Sequence, residues 1–328
     1  MSAELLVKKV DSVTDVTVTD ASGKQYPVET VGDYWKCKVD EYGEYTTNFK
    51  VNGVQSKPRK TIVDTCKQYY PVSFSGTLNQ TSWSDIRLAS DMGIASTIWA
   101  VGDTKAVNDI SVFILGFDHN VTYEGENRIH FSGYRIGGFD VAVTSSQYGE
   151  KNAPSESINN RYIMNAYEKG NDYGWEQSYM RTRVLNSNAL SPSDARSDSF
   201  LGELPNDLKQ AIKRTKKYTN NGTLYSPKVT ATEDWLFLFS EFELTGNTNT
   251  ALSEESSYQK QYDYYKKGHG IDRGGTTNKT LNTNYWLRSP NAENKVEYCC
   301  VNSGDSGSPR VRSYNSNYNY GVAPCFCV

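Results

Sequence analysis

Apolar and polar residues alternate in short runs from the N-terminus to about residue 74. Val16-Thr17-Val18-Thr19 and Tyr34 to Val39 place every second side chain on one face, the period of a half-buried strand. Turn formers follow each run: Asp20-Ala21-Ser22-Gly23 after the first and Asp40-Glu41-Tyr42-Gly43 after the second. Tyr45 to Val51 ends at Asn52-Gly53, a dipeptide that favours the two-residue hairpin turn. Thr61-Ile62-Val63 and Tyr69 to Phe74 add further strands. Short strands with closely spaced turns predict a small all-β, immunoglobulin-like sandwich over residues 1–74.

The pattern changes beyond residue 75. Ser82 or Ser84 caps a predicted helix that runs through Met92 and stops at Gly93. Ile110 to Phe117 and Arg128 to Phe131 read as strands. Gly174-Trp175 opens a helix carrying Met180, Val184 and Leu185. Pro205 stands at the first position of a helix over Asp207 to Lys217, whose basic run Lys213-Arg214-Thr215-Lys216-Lys217 reads as a solvated face. The continuous apolar run Trp235 to Phe239 predicts a buried strand, with Glu241 and Glu243 as charges at its edge. Ser253 to Lys267 reads as a helix capped by Ser253. A Gly-, Thr- and Asn-rich loop follows, and short strands return from Tyr285. Few helices among many short strands define an α+β domain over residues 75–328.

Composition narrows the function. The chain has 328 residues and 37% hydrophobic content, with 24 tyrosines, and its net charge is −3. No basic block is large enough to neutralise a phosphate backbone, so no nucleic-acid partner is expected. Met1 to Val10 contains no apolar core of a leader. Nothing approaches the long apolar run of a membrane helix, so no membrane insertion is expected. Synthesis and folding in a cytosol follow, unless a leader has been trimmed. The six cysteines form no CxxC pair, which argues against structural zinc. Cys325 and Cys327 alternate on an expected strand and read as buried thiols. A Cys37–Cys66 disulfide stays open.

The segment Tyr298 to Tyr320 is the most unusual. Fifteen of its 23 residues are Tyr, Asn, Ser or Arg, and Lys, Glu, Gln, Met and Trp are absent. Such surfaces combine rigid amphipathic contact area with adaptable hydrogen bonding, as antibody paratopes do. The candidate ligand-binding residues are Tyr298, Asn302, Ser303, Asp305, Ser306, Ser308, Arg310, Arg312, Tyr314, Asn315, Asn317, Tyr318, Asn319 and Tyr320.

Enzymatic readings compete with this one. Gly304-Asp305-Ser306-Gly307-Ser308-Pro309 looks like the nucleophile motif of a chymotrypsin-type protease. Only 22 residues follow Ser306, too few to complete a second barrel. Asp118, His119, Glu124, Glu126 and His130 form a local group of metal-ligand types, read here as a polar strand end and turn. The triplets of a calcium-dependent lectin site are absent, and Ser289-Pro290-Asn291 lacks the first ligand. There is neither a P-loop nor a dinucleotide fingerprint. No catalytic residue, metal or cofactor is therefore expected.

Several segments resemble a domain of unknown function common in gut bacteriophages and bacteria. They are Trp286-Leu287-Arg288-Ser289-Pro290, Val301 to Gly304 and the closing Gly321-Val322-Ala323-Pro324-Cys325-Phe326-Cys327. Upstream pieces join them: Ser82 to Ile86, Trp99 to Lys105, Arg128 to Phe131, Gly174-Trp175, Leu204-Pro205 and Leu236 to Glu243. The resemblance spans about Phe74 to Val328. It implies the C-type lectin fold of the variable proteins of diversity-generating retroelements. Adenine mutagenesis of Asn codons in those systems cannot reach the five residue types missing from Tyr298 to Tyr320. On this reading Cys299 and Cys300 are products of diversification, and the protease-like motif is a coincidence.

The expected protein is a non-catalytic receptor-binding protein of a phage tail tip or fibre, made in the bacterial cytoplasm. It would bind a host surface protein or glycan, attach to other tail proteins through residues 1–74 and form a homotrimer. The alternatives are a serine hydrolase at Ser306, a thiol-dependent oxidase-like site at Cys325 and Cys327, and a purely structural tail protein.

Overall fold

The N-terminal region forms nine strands in a computed structural model of the chain, the five expected runs among them and four more that the sequence reading did not name. The structure describes residues 2–9, 13–51, 53–55, 58–70, 77–107, 110–135, 162–166, 169–222, 226, 228–271, 284–302, 310–318 and 320–328. The strands are β1 (Ala3–Lys8), β2 (Val13–Asp20), β3 (Gln25–Tyr26), β4 (Val28–Val31), β5 (Tyr34–Val39), β6 (Gly43–Val51), β7 (Val54–Gln55), β8 (Arg59–Val63) and β9 (Lys67–Tyr70). The four additional strands are β1, β3, β4 and β7, and the expected run Tyr69 to Phe74 lies outside the described residues beyond Tyr70. One sheet has the order β4-β5-β1-β9, with β1 and β9 parallel. The other runs β3-β2-β6-β7, with β8 also paired to β6. Period-two burial follows the alternation in β5 and β6, where Cys37 and Val39 and then Tyr45, Thr47 and Phe49 are buried, whereas β1 buries Leu5, Leu6 and Val7 in a row. The expected turn after β2 forms because Asp20 Oδ1 accepts from the backbone N–H groups of Ser22 and Lys24. Cys37 is buried and Cys66 exposed, and both are free thiols.

Helix α1 (Trp83–Asp91) starts where its cap predicts. Ser82 Oγ accepts from Asp85 N at 3.1 Å, and Gly93 follows the helix at φ 68°. Its apolar face, Trp83, Ile86 and Ala89, is buried, and α1 packs on β6. Helix α2 (Ala95–Ile98) follows. The first compact unit therefore runs from Met1 to Trp99 and the second from Ala100 to Val328, whereas the sequence reading placed the boundary at residue 74.

The second unit is built on β10 (Thr104–Val107), β11 (Ile110–Phe117), β12 (Ile129–Arg135) and the C-terminal strand β18 (Cys325–Cys327). They form one antiparallel sheet in the order β10-β11-β12-β18. Phe131 faces Phe326 across β12 and β18 with ring centroids 5.4 Å apart. Short helices cover this unit: α3 (Val121–Glu124), α4 (Phe200–Glu203), α5 (Asn206–Ala211), α6 (Glu241–Thr245) and α7 (Asp263–Lys266). Strands β13 (Thr215–Asn220) and β14 (Val229–Asp234) pair as a two-stranded ribbon. Strands β15 (Tyr285–Pro290), β16 (Glu297–Asn302) and β17 (Arg310–Asn315) form a three-stranded antiparallel sheet. The architecture is thus mixed α+β, with several small sheets and few helices.

Four expectations change. The predicted helix over 207–217 ends at Ala211, and Thr215 to Asn220 is a strand whose inward residues Thr215, Lys217 and Thr219 are buried. The basic run is therefore no solvated helix face; β-branched Thr215 and Thr219, with Tyr218 between them, favour extended backbone. Trp235 to Phe239 contributes only an isolated bridge, Phe237 with Cys325. Residues 253–267 form a 3₁₀ turn, Ser253–Tyr258, and α7 in place of one helix. Finally, Gly174-Trp175 opens a turn, and a π-helical turn over Met180–Val184 follows.

Candidate functional site

The candidate segment lies on the sheet β15-β16-β17, and β16 and β17 fare differently. Strand β16 sits in the middle, where Tyr298, Cys299, Cys300 and Val301 are all fully buried. Strand β17 is the edge strand, with Arg310 and Arg312 exposed and Val311, Ser313, Tyr314 and Asn315 half-buried. Alternation puts Arg310, Arg312 and Tyr314 on one face, opposite Asn302, Cys300 and Tyr298 of β16.

A web of hydrogen bonds fixes this sheet. Asn171 Nδ2 donates to the carbonyls of Asn291, Asn294 and Glu297, bracing the β15–β16 turn. Ser316 N donates to Val296 O, and Met164 N donates to Ser316 O. Trp286 Nε1 donates to Tyr162 O at 2.9 Å. Tyr298 Oη donates to Gly174 O at 2.9 Å and accepts from Asn165 Nδ2 at 3.2 Å. Gly174 holds φ +53°, and a Cβ there would lie 2.0 Å from Asn220 O. Glycine is required at this position by both the backbone conformation and the close approach. Tyr298 is thus a structural anchor, and its assignment as a ligand contact is corrected by its burial.

Beyond β17 the chain turns back over its own strand. The rings of Tyr314, Tyr318 and Tyr320 gather within 5.5 to 6.3 Å of one another, and Tyr320 packs on buried Trp286 at 4.9 Å. Tyr318 is 43% exposed, while Tyr314 and Tyr320 are half-buried. Burial raises the Tyr320 hydroxyl above the ordinary tyrosine range, so it remains a neutral donor. Asn302, Asn315 and Asn317 are half-buried at the margin. Ser303, Asp305, Ser306, Ser308 and Asn319 lie outside the described residues, and with them the Ser306 nucleophile motif. The structure therefore brings Arg310, Arg312, Tyr314, Tyr318 and Tyr320 to one rim.

Cys299 and Cys300 also depart from expectation. Both side chains are fully buried and burial raises both thiols well above the ordinary range. A freely diversified position must accept any side chain, which a closed core does not. Cys325 and Cys327 are likewise buried on β18, as their alternation implied. Burial pushes Cys327 up to about 11 and Cys325 well above its ordinary value. Both stay protonated and enclosed, unlike reactive thiolates.

The sequence reading missed a buried ionic network. Lys217 Nζ donates to Glu124 Oε1 at 2.8 Å, Glu243 Oε1 at 3.0 Å and Tyr262 Oη at 3.1 Å. Tyr262 Oη accepts that hydrogen bond and so donates its own O–H to His130 Nδ1, 3.1 Å away. The neutral His130 therefore carries its hydrogen on Nε2, which faces Glu124 Oε2 at 3.4 Å. Arg288 closes the cluster with paired contacts to Glu243 and a 2.9 Å bond to Thr219 Oγ1. Glu243 also caps α6, accepting from Ser240 N while Ser240 Oγ accepts from Glu243 N. Glu241 and Glu243 are accordingly buried capping and bridging groups, not edge charges.

The electrostatics follow the partners. Burial alone would raise Glu243, but Arg288 and Lys217 together hold it well below the carboxylate range. Glu124 pairs with Lys217 and faces the neutral His130, and burial raises it. Burial lowers His119 to about 3 and holds His130 well below its ordinary value, so both imidazoles are neutral. His119, Glu124 and Glu243 offer three donor atoms within 4.8 Å of one another. Lys217 holds its ammonium against both of those carboxylates, providing the cation of the site. Glu255 is separate: its carboxylate accepts from Asn220 N at 2.8 Å and Ser289 Oγ at 2.7 Å. Burial raises it from 4.5 to about 7.

The network and the rim together describe a mixed α+β protein with a buried charged cluster and a braced, partly exposed C-terminal sheet. Residues 155–328, more than half of the chain, match the model of a family described as Domain of unknown function (DUF6273), and the chain belongs to that family. The match includes the rim together with Lys217, Glu243, Tyr262 and Arg288, while Glu124 and His130 precede it. No curated protein and no solved structure matches the chain. Among the described residues, no helix is long and apolar enough to cross a membrane.

Proposed function

We propose that this protein is a non-catalytic receptor-binding protein whose ligand contacts are Arg310, Arg312, Tyr314, Tyr318 and Tyr320. The observation that carries the reading is the contrast within one sheet. A buried strand fixed by side-chain and main-chain hydrogen bonds supports an edge strand that turns Arg and Tyr outward. Tyr and Arg are the residue types that dominate binding hot spots, since they combine contact area with directional hydrogen bonding. The bracing supports pre-organisation, which limits the entropy lost when a ligand docks.

In this proposal residues 100–328 adopt a C-type-lectin-like fold and the N-terminal unit is an immunoglobulin-like adaptor. The adaptor joins other proteins of a phage tail, the assembly is a homotrimer, and the target is a protein or glycan on the host surface. Retroelement diversification acts on the rim positions. The residue types missing from Tyr298 to Tyr320 support this, as does the C-terminal signature.

The test uses fluorescently labelled full-length protein screened on intact bacteria. On strains that bind it, the combined Arg312→Ala, Tyr314→Ala and Tyr318→Ala variant should lose at least about tenfold in affinity while retaining its thermal unfolding profile. Undiminished binding by that variant removes the assignment.

A further inference from the structure

We infer that β17 is a docking edge for an extended acidic peptide, which adds to the sheet as a further strand. The inference deepens the recognition reading above and rests on it. Among the described residues, β17 pairs with β16 alone. In an antiparallel pair, alternate residues direct their N–H and C=O groups away from the partner strand. Half of the residues from Arg310 to Asn315 therefore present main-chain donors and acceptors outward, the template that strand addition uses.

Charge selects the partner. Arg310 and Arg312 are exposed on one face of β17, and neither guanidinium forms an ion pair or hydrogen bond among the described residues. Residues of an added strand pair across the edge at the same spacing, so carboxylates at every second position meet the two guanidiniums. An apolar residue two positions further along reaches Tyr314, with Tyr318 beside it. Glutamate or aspartate in alternation, ending on an apolar side chain, is the sequence class this edge fits. Main-chain pairing also suits a surface whose side chains change: the backbone contribution persists while side chains set the choice of partner.

The experiment measures fluorescence anisotropy with the full chain and a short labelled peptide that alternates glutamate with valine and ends on phenylalanine. Four controls accompany it: a lysine counterpart, two versions N-methylated on odd or on even residues, and an acidic oligosaccharide. The glutamate peptide is expected to saturate, and the lysine peptide should not bind. One of the two N-methylated versions should lose at least about tenfold, because only one set of amides faces β17. The combined Arg310→Glu and Arg312→Glu variant should abolish binding of the glutamate peptide and accept the lysine one. Equal binding by both N-methylated versions, or binding of the oligosaccharide without the peptide, overturns the inference. So does failure of the glutamate peptide to bind, which leaves the arginines as charges that merely blunt the edge. If the alanine variant still loses bacterial binding in those cases, the recognition reading stands and strand addition alone fails.

Discussion

Strands β16 and β17 are neighbours in one sheet and share one compositional signature, yet they do opposite work. Every residue from Tyr298 to Val301 is fully buried, whereas β17 exposes Arg310 and Arg312 and half-exposes the rest. The difference is topological: β16 is flanked by β15 and β17, and β17 is an edge. Composition reports which residue types a segment uses, and sheet order decides which of them meet solvent. The variable-looking stretch is thus half foundation and half surface.

The sharpest way to break the foundation lies behind β16. Arg288→Met on β15 leaves Glu243 buried with Lys217 as its remaining cation, and destabilisation of about 3–5 kcal/mol is expected from chemical denaturation. Exchanging residue types across the β16–β17 pair probes the contrast directly. Cys300→Arg forces a charge and extra volume into a closed core, with an expected cost of about 3 kcal/mol or more. The opposite Arg312→Cys replaces an exposed side chain and should move the melting temperature by no more than about 2 °C. Similar losses from both would erase the distinction.

A pH experiment refines the account of the foundation. Glu255 is raised from 4.5 to about 7 in the folded chain. Between those values the unfolded chain has released its proton while the folded chain retains it, so stability falls as pH rises through this window. The contribution amounts to roughly 3 kcal/mol. Comparing wild type with Glu255→Gln by urea unfolding between about pH 4.5 and 8, the wild type should lose ground steadily toward the alkaline side. A constant difference would mean that Glu255 titrates normally.

The smallest effects belong to the rim. Tyr318→Ala and Arg312→Ala should each leave the thermal midpoint within about 2 °C of wild type, since neither side chain fills the core.

Part of the N-terminal unit was legible in the sequence because strands such as β5 and β6 alternate and its turns carry Asp, Gly and Asn, whereas β1, which buries Leu5, Leu6 and Val7 in a row, gave no such signal. Helix α1 was legible through Ser82 and Gly93. The ionic network was hidden for a physical reason: Glu124, His130, Lys217, Glu243, Tyr262 and Arg288 come from six separate elements and loops. A buried Lys among threonines and lysines looks like a solvated one until its partners arrive. One local signal existed at Glu243, where Ser240-x-x-Glu243 is a capping box that fixes a helix start. Tyr298 was misjudged for the converse reason. Tyr serves equally as a wet contact and as a buried ring with a satisfied hydroxyl, and only Gly174 and Asn165, far away in sequence, decide which.

The central claim is that the rim is replaceable and β16 is not. Sequencing this gene across many individual genomes of one population tests it most directly, together with any near-copy of codons 285–328 beside a reverse transcriptase gene. Substitutions should concentrate at the rim positions Arg310, Arg312, Tyr314, Tyr318 and Tyr320 and spare Tyr298 to Val301. Substitutions spread evenly over both strands, or concentrated at Tyr298 to Val301, would contradict it.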